Sequence, residues 1–104
     1  MEEAKRRIKE CEDNKSFELN LSNLGIKEIP LNIPDTVKIF YCYNNKIRKL
    51  QNLQEKLEIL DCSENKIIVL NNLPNTINFL LIKPNYQILL ILKNLLINRA
   101  KRHN

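Results

Sequence analysis

Residues 37–50 read VKIFYCYNNKIRKL, and residues 57–70 read LEILDCSENKIIVL. Both stretches follow the pattern L-x-x-L-x-L-x-x-N-x-L, displaced by twenty residues, with other apolar residues at several leucine positions and cysteine at the third. Each has a further apolar residue three places later. A fixed period of this length indicates a stack of similar coils, in which each coil completes its hydrophobic core only against its neighbours.

Weaker copies of the same frame flank these two stretches. The earlier copy has Leu24 where asparagine is expected, and the later copy keeps Asn85 but has Gln87 where an apolar residue belongs. Terminal coils bury only one side against a neighbour, so their sequences are freer to vary. The sequence therefore predicts about four repeats over residues 16–85, within a single domain of residues 1–104.

This frame resembles that of leucine-rich-repeat proteins, in particular the short twenty-residue class of bacterial effectors and some large DNA viruses. Residues 29–34 and 70–74 are similar to the L-x-x-L-P linkers of that class. The resemblance covers residues 16–85. It implies an α/β solenoid, a right-handed coil in which about four parallel strands form a concave sheet. It also implies that the chain acts in protein-protein recognition.

Strand alternation favours the same architecture independently. The side chains of Phe40 and Cys42 are expected to point inward and the residue between them outward. One strand for every twenty residues requires a tight return, which stacks the strands in parallel about 4.8 Å apart. A helical bundle is the alternative, but residues 57–70 show period-two alternation followed by Asn-Lys-Ile rather than a helical period.

Capping helices are predicted at both ends of the array. Within residues 1–15, Ala4, Ile8 and Cys11 share one helical face, which is expected to cover the first repeat and the open edge of the sheet. Residues 86–104 have a broader apolar surface than a cap requires, so part of it could contact a partner or a second copy.

Asn45, Asn65 and Asn85 come just after the strands and are predicted to point inward as a structural asparagine ladder. The chain bends there and leaves backbone donors and acceptors that a side-chain amide can bridge between coils. Ligand binding by these residues is the alternative, which their inward position disfavours. Other asparagines are expected at the tight turns, because the chain has only one glycine.

The outward residues of the strands form the predicted binding surface. They are expected to stack into three columns: Glu18, Ile39, Ile59 and Phe79; Asn20, Tyr41, Asp61 and Leu81; Ser22, Tyr43, Ser63 and Lys83. Exposed apolar surface marks interfaces, and tyrosine is enriched at binding hot spots. The residues predicted to contact a protein partner are Ile39, Tyr41, Tyr43, Ile59, Asp61, Phe79 and Leu81. Coverage of this patch by the terminal helices or by self-association is the alternative.

The residue pattern provides no active site. No nucleophile–base pair and no glycine-rich phosphate loop is recognisable. The single histidine, His103, lies next to the C-terminus and no C-x-x-C pair is present, so neither a metal nor a cofactor is expected. Cys42 and Cys62 share one repeat position and are predicted to be neighbouring, buried free thiols. The chain is therefore predicted to be a binding protein rather than an enzyme.

Two other functions compete with a protein-interaction module. A homo-oligomeric structural protein would associate through the concave face or the C-terminal helix. Nucleic-acid binding would use the basic termini of a chain whose formal net charge is +5. Solvated helix faces explain those termini better, because no aromatic residue or glycine is interleaved with the basic residues.

An intracellular, cytoplasmic location, including the cytoplasm of a host, is expected from the sequence. The charged first residues lack the apolar run of a signal peptide, and the longest apolar stretch is too short to span a bilayer. An odd number of cysteines without an export signal favours reduced thiols.

Overall fold

The computed structural model describes residues 2–68 and 73–82. The chain begins with a helix and continues with four short strands: α1 (Glu2–Asn14), β1 (Glu18–Asn20), β2 (Ile39–Tyr41), β3 (Ile59–Asp61) and β4 (Phe79–Leu81). The predicted C-terminal helix, Lys83 and Asn85 lie outside the described residues.

The four strands form one parallel sheet in the order β1-β2-β3-β4. Glu18 pairs with Ile39, Ile39 with Ile59, and Ile59 with Phe79, so the register advances by 21, 20 and 20 residues. The chain thus returns to the same side of the sheet once per sequence repeat. The prediction of about four parallel strands is confirmed, and the helical-bundle alternative is wrong for this part of the chain.

The core lies behind the sheet and follows the repeat frame. The central residues of the first three strands, Leu19, Phe40 and Leu60, are almost completely buried. They pack in one cluster with the apolar residues of the segments that precede and follow each strand. Since burying one large apolar side chain contributes about 1.5–3 kcal/mol, these stacked positions are the main source of stability for the coils.

Helix α1 packs against the β1 side of the sheet and buries the three side chains predicted to face it, Ala4, Ile8 and Cys11. A Schellman motif ends the helix: the Lys15 N–H donates to the Glu12 carbonyl at 3.1 Å, and the Ser16 N–H donates to the Cys11 carbonyl at 3.0 Å. Lys15 has a φ of 50° there, a conformation that glycine adopts at lower cost.

The turn directly after each of the first three strands contains a left-handed residue at the same repeat position. Asn23, Asn44 and Glu64 have φ angles of 62°, 54° and 54°. Asparagine enters this region more readily than other non-glycine residues, because its short side chain forms local hydrogen bonds. The prediction that asparagine takes turn positions in this glycine-poor chain is therefore confirmed at two of the three turns.

The third outward column was predicted wrongly at its first member. Ser22 is only 3% exposed, whereas strand alternation placed it on the outer face with Glu18 and Asn20. The Ser22 N–H donates to the side-chain oxygen of Asn20 at 2.9 Å. This side-chain turn bends the chain immediately after β1, and period-two alternation holds only within a strand. At the equivalent positions, Tyr43 and Ser63 are half-buried.

Candidate functional site

The outer surface of the sheet consists of two columns of side chains in register, here called the sheet face. The strand pairing aligns Glu18, Ile39, Ile59 and Phe79 in one column and Asn20, Tyr41, Asp61 and Leu81 in the other. Neighbours in a column are about 4.8 Å apart, the spacing of paired strands. The structure thus brings six of the seven predicted partner-binding residues onto one surface, and the seventh, Tyr43, lies just beyond the end of β2.

The first column is mainly apolar. Ile39 and Ile59 are half-buried, and Phe79 is 55% exposed beside them. Leu81, on the same strand as Phe79, is 41% exposed. An outward row of adjacent apolar side chains is a surface that water solvates poorly, so this row favours contact with another apolar surface.

The sheet face is polar and negatively charged around Tyr41, which lies in the second column between Asn20 and Asp61. The negative charge of the Glu18 carboxylate is the main cause that raises the pKa of the Tyr41 hydroxyl, with smaller contributions from partial burial, a hydrogen bond to Glu18 and the nearby Asp61. One oxygen of Asp61 accepts the Ser63 N–H at 3.1 Å, which fixes the carboxylate next to the sheet. An aromatic ring flanked by two carboxylates is well suited to a cationic group.

An exposed aromatic residue beside the sheet face, Phe17, was not predicted from the sequence. Phe17 precedes β1 and is well exposed, and the Lys38 ammonium lies 5.7 Å from the centre of its ring. Lys38 also lies 3.8 Å from the Glu58 carboxylate. These three residues hold equivalent positions immediately before their strands. Aligning the positions before the strands, in addition to those within them, would have identified this row.

Asn45 lies inside the coils and is only 7% exposed. Its side-chain oxygen accepts the N–H groups of Leu24 and Ile26, both at 3.1 Å. Its amide nitrogen donates to the carbonyls of Leu21 at 2.9 Å and Cys42 at 3.0 Å. The side chain therefore joins its own coil to the preceding one and satisfies backbone groups that the bend leaves without partners.

Asn65 repeats this arrangement one coil later. Its side-chain oxygen accepts the Ile47 N–H at 3.0 Å, and its amide donates to the carbonyls of Cys42 at 2.9 Å and Cys62 at 3.1 Å. Asn65 is less buried than Asn45. The amide groups of both asparagines are thus occupied by backbone partners.

Cys11, Cys42 and Cys62 are buried free thiols. Burial raises the pKa of the Cys62 thiol to about 12 and that of Cys42 well above its ordinary value. The thiolate is the reactive form of cysteine, so these two side chains are poor nucleophiles at neutral pH. Within residues 2–68 and 73–82, no group of histidine, cysteine or acidic residues could hold a metal ion.

Three of the four basic residues of helix α1, Arg6, Arg7 and Lys9, are paired with acidic residues of the same helix. Arg6 contacts Glu3 and also Glu10, the latter at 3.1 Å, while the Arg7 guanidinium lies 3.1 Å from Glu3. Hydrogen bonds from Arg6 and then Arg7 lower the pKa of the Glu3 carboxyl to about 2. The N-terminal basic cluster therefore has little uncompensated charge to offer a phosphate backbone.

The described part of the chain contains no helix that is long and apolar enough to cross a membrane. No protein-family model and no curated protein matches the sequence. Among solved structures, the chain is similar to one described as the structure of a Shigella effector LRR domain, at 25% sequence identity and a TM-score of 0.39. The match covers 76% of this chain and 54% of that one, so the chain spans about half the length of the Shigella domain.

Proposed function

We propose that this protein is a short leucine-rich-repeat solenoid that binds a protein partner through its sheet face. The repeat register of 20 to 21 residues supports the solenoid assignment. So do the hydrogen bonds of the Asn45 and Asn65 side chains to backbone groups of the preceding coil. The solenoid serves to hold the sheet face in a fixed shape, and the role is binding rather than catalysis.

The observation that carries the binding proposal is the apolar row Ile39, Ile59 and Phe79 on the outer face of a sheet whose inner face already has a core. A strand that needs only one buried face can place polar residues on the other without loss of stability. An apolar row that leaves Phe79 55% exposed therefore favours an interface. Tyr41, one column away, adds the residue type that is enriched where binding energy concentrates.

The two columns also indicate the chemistry of the partner. Apolar side chains would pack against Ile39, Ile59 and Phe79. A lysine or arginine beside them would lie over Tyr41, between the carboxylates of Glu18 and Asp61. We infer an intracellular site of action, as for a bacterial effector or a viral protein inside a host cell, because buried free thiols suit a reducing compartment.

Replacing Tyr41→Ala together with Phe79→Ala tests this proposal. A photo-crosslinking residue at position 59 would first identify the partner, and the affinity of the purified pair would then be measured by calorimetry. We expect the double variant to bind at least about tenfold more weakly, since two hot-spot side chains are removed. Leu31→Ala is the matched control, because Leu31 is 83% exposed and lies outside the sheet.

Retention of full affinity by the double variant would disprove binding through the sheet face. Sedimentation of the protein alone tests the alternative that the sheet face forms a homo-oligomer. A dimer of the natural sequence that becomes monomeric in the double variant would show that the sheet face binds a second copy.

A further inference from the structure

A second charged surface lies on the segments that follow the strands, and we call it the basic flank. Its members are Lys27, Lys46, Arg48, Lys49 and Lys66. In the repeat frame, Lys46 and Lys66 hold one position, and Lys27 and Arg48 hold another. The five residues come from three successive coils and form one surface only when those coils stack.

Backbone hydrogen bonds hold these segments side by side. The Lys46 N–H donates to the Ile26 carbonyl at 2.8 Å, the Lys66 N–H to the Ile47 carbonyl at 2.9 Å, and the Ile68 N–H to the Arg48 carbonyl at 3.3 Å. Ile47 is completely buried between the charged residues and anchors its segment in the core. The charges therefore stand on a fixed backbone, with neighbouring coils about 5 Å apart.

Within the described residues the cations of the basic flank are unpaired, in contrast to Arg6, Arg7 and Lys9 of helix α1. All five side chains are exposed, and none forms an ion pair with a carboxylate of the described residues. Like charges at this spacing repel one another, and an anionic ligand would relieve that repulsion. The surface is therefore electrostatically unsatisfied in the protein alone.

A groove runs through the basic flank and contains an apolar side chain. It has a volume of about 460 Å³ and is lined by Lys27, Glu28, Arg48, Lys49, Gln51 and Ile68. Ile68 is 47% exposed and holds the repeat position of Lys27 and Arg48 in the next coil. The groove thus combines three cations with one apolar contact.

We propose that the basic flank binds an acidic segment of a polypeptide. Carboxylates of that segment pair with Arg48 and the lysines, and an apolar side chain between them packs on Ile68. The carboxylate of Glu28 in the same groove accepts a peptide N–H from the bound segment, a donor that a phosphodiester backbone does not have. The described segments of the flank also have no aromatic side chain on which a nucleic-acid base could stack.

This surface is separate from the sheet face, because its residues come after the turns that end the strands. A partner could contact either surface alone, and the two proposals therefore fail independently. The repeat alignment could have revealed the flank, but the cations look scattered when the sequence is read linearly.

Fluorescence anisotropy with the full chain tests the proposal. The probes are a labelled peptide that repeats Glu-Glu-Leu, the same peptide with glutamine in place of glutamate, and a single-stranded oligothymidine. We expect the acidic peptide to bind, the glutamine peptide not to bind, and the affinity to fall about tenfold between low and physiological salt, because salt screens exposed charges. Tyr41→Ala with Phe79→Ala should leave this binding unchanged.

Arg48→Glu with Lys49→Glu should weaken binding of the acidic peptide by about tenfold or more, since it replaces attraction with repulsion. Lys5→Glu with Lys56→Glu makes the same change in net charge at exposed sites outside the flank, and should change the affinity by less than about twofold. Lys46→Gln with Lys66→Gln removes charge without adding repulsion and should weaken binding by about threefold to fivefold. Circular dichroism verifies that each variant is folded.

Three results would overturn the proposal. The first is the absence of peptide binding at low salt, and the second is equal weakening by the Lys5 and Lys56 control. The third is tighter binding of oligothymidine than of the acidic peptide, which would assign the flank to nucleic acid instead.

Discussion

The interior of the coils and the surface of helix α1 are both rich in polar contacts, but they stabilise the protein by different means. Asn45 makes its hydrogen bonds while 7% exposed, and its partners are backbone groups of two coils. Arg6 makes its contacts with Glu3 and Glu10 at a side chain that is 61% exposed. Water can replace the partners of Arg6, whereas the hydrogen bonds of Asn45 to Ile26, Leu21 and Cys42 are buried.

The difference shows that the number of hydrogen bonds is a poor guide to their importance. A buried donor or acceptor that loses its partner costs about 1–3 kcal/mol, whereas an exposed ion pair contributes about 0–1 kcal/mol. We therefore expect substitutions inside the coils to dominate the stability of the protein. Substitutions of the exposed ion pairs on α1 should produce small effects that depend on salt and pH.

The largest effect is expected for Asn45→Ala, with a loss of about 3 kcal/mol in the free energy of unfolding. This substitution leaves the N–H groups of Leu24 and Ile26 and the carbonyl of Leu21 without their partner. Asn65→Ala should cost about 2 kcal/mol, because Asn65 is more exposed. Urea denaturation measures both losses.

Asn78→Ala provides the control for these two variants, because Asn78 is an exposed asparagine in the segment that precedes β4. Its effect should be smaller than about 0.5 kcal/mol. Similar losses of unfolding free energy for Asn45→Ala and Asn78→Ala would contradict the distinction between interior and surface. Burial would then not determine how much an asparagine amide stabilises the protein.

The buried thiols should make the coils sensitive to alkaline pH. The pKa of Cys62 is about 12 in the folded protein against an ordinary value of 9.0, and burial also raises the pKa of Cys42 well above that ordinary value. Above pH 9 the unfolded chain therefore loses protons that the folded chain retains. Stability should fall as pH rises, by up to about 1.4 kcal/mol per thiol for each pH unit, and it should not depend on these groups below pH 9.

Thermal unfolding between pH 8 and pH 11 measures this loss. Cys42→Ala should reduce the slope, although it also changes stability at neutral pH. An unchanged slope in this variant would assign the alkaline loss to tyrosine and lysine side chains rather than to the interior.

The fold was largely predictable because a fixed repeat constrains distant residues at once. The period that aligned Asn45 with Asn65 also fixed which strands pair and which side chains point inward. The inward position of Phe40, for example, followed directly from this frame. The sequence contains this information twice, in the spacing of the repeats and in the alternation within each strand.

The surfaces were less predictable, because they depend on where alternation stops and on how coils align outside the strands. Ser22 was placed outward, but the side chain of Asn20 turns the chain after β1 and Ser22 becomes buried. Lys27 and Arg48 look unrelated in the sequence and become neighbours only through the stacking of the coils. Rules for single strands do not describe such contacts between turns.

Lys15→Gly tests the end of α1 and should stabilise the protein by about 1 kcal/mol. Lys15 has a φ of 50° in the Schellman motif, a conformation that glycine adopts without the steric cost of a Cβ atom. Chemical denaturation of this variant should give a higher midpoint with an unchanged slope. Lys5→Gly is the contrasting variant, because Lys5 lies within the helix, and it should destabilise the protein by about 1 kcal/mol. A loss of stability in Lys15→Gly would show that the Lys15 side chain contributes more than the backbone strain removes.

The smallest effect is expected for Glu3→Gln, and its dependence on pH makes it the sharpest test of the comparison. Hydrogen bonds from Arg6 and Arg7 lower the pKa of Glu3 from 4.5 to about 2. Its contribution should be fully present above pH 4.5 and should disappear as the pH falls towards 2, where the folded protein also binds the proton. Thermal unfolding of the natural sequence and of Glu3→Gln should therefore differ slightly at pH 6 and coincide near pH 2.

Added salt should reduce the difference between the natural sequence and Glu3→Gln at pH 6, because the ion pairs are exposed. The loss in Asn45→Ala should be the same at low and high salt, since its hydrogen bonds join neutral groups inside the coils. An equal salt dependence of the two variants would contradict the distinction between an interior fixed by buried hydrogen bonds and a helix surface held by screened charges.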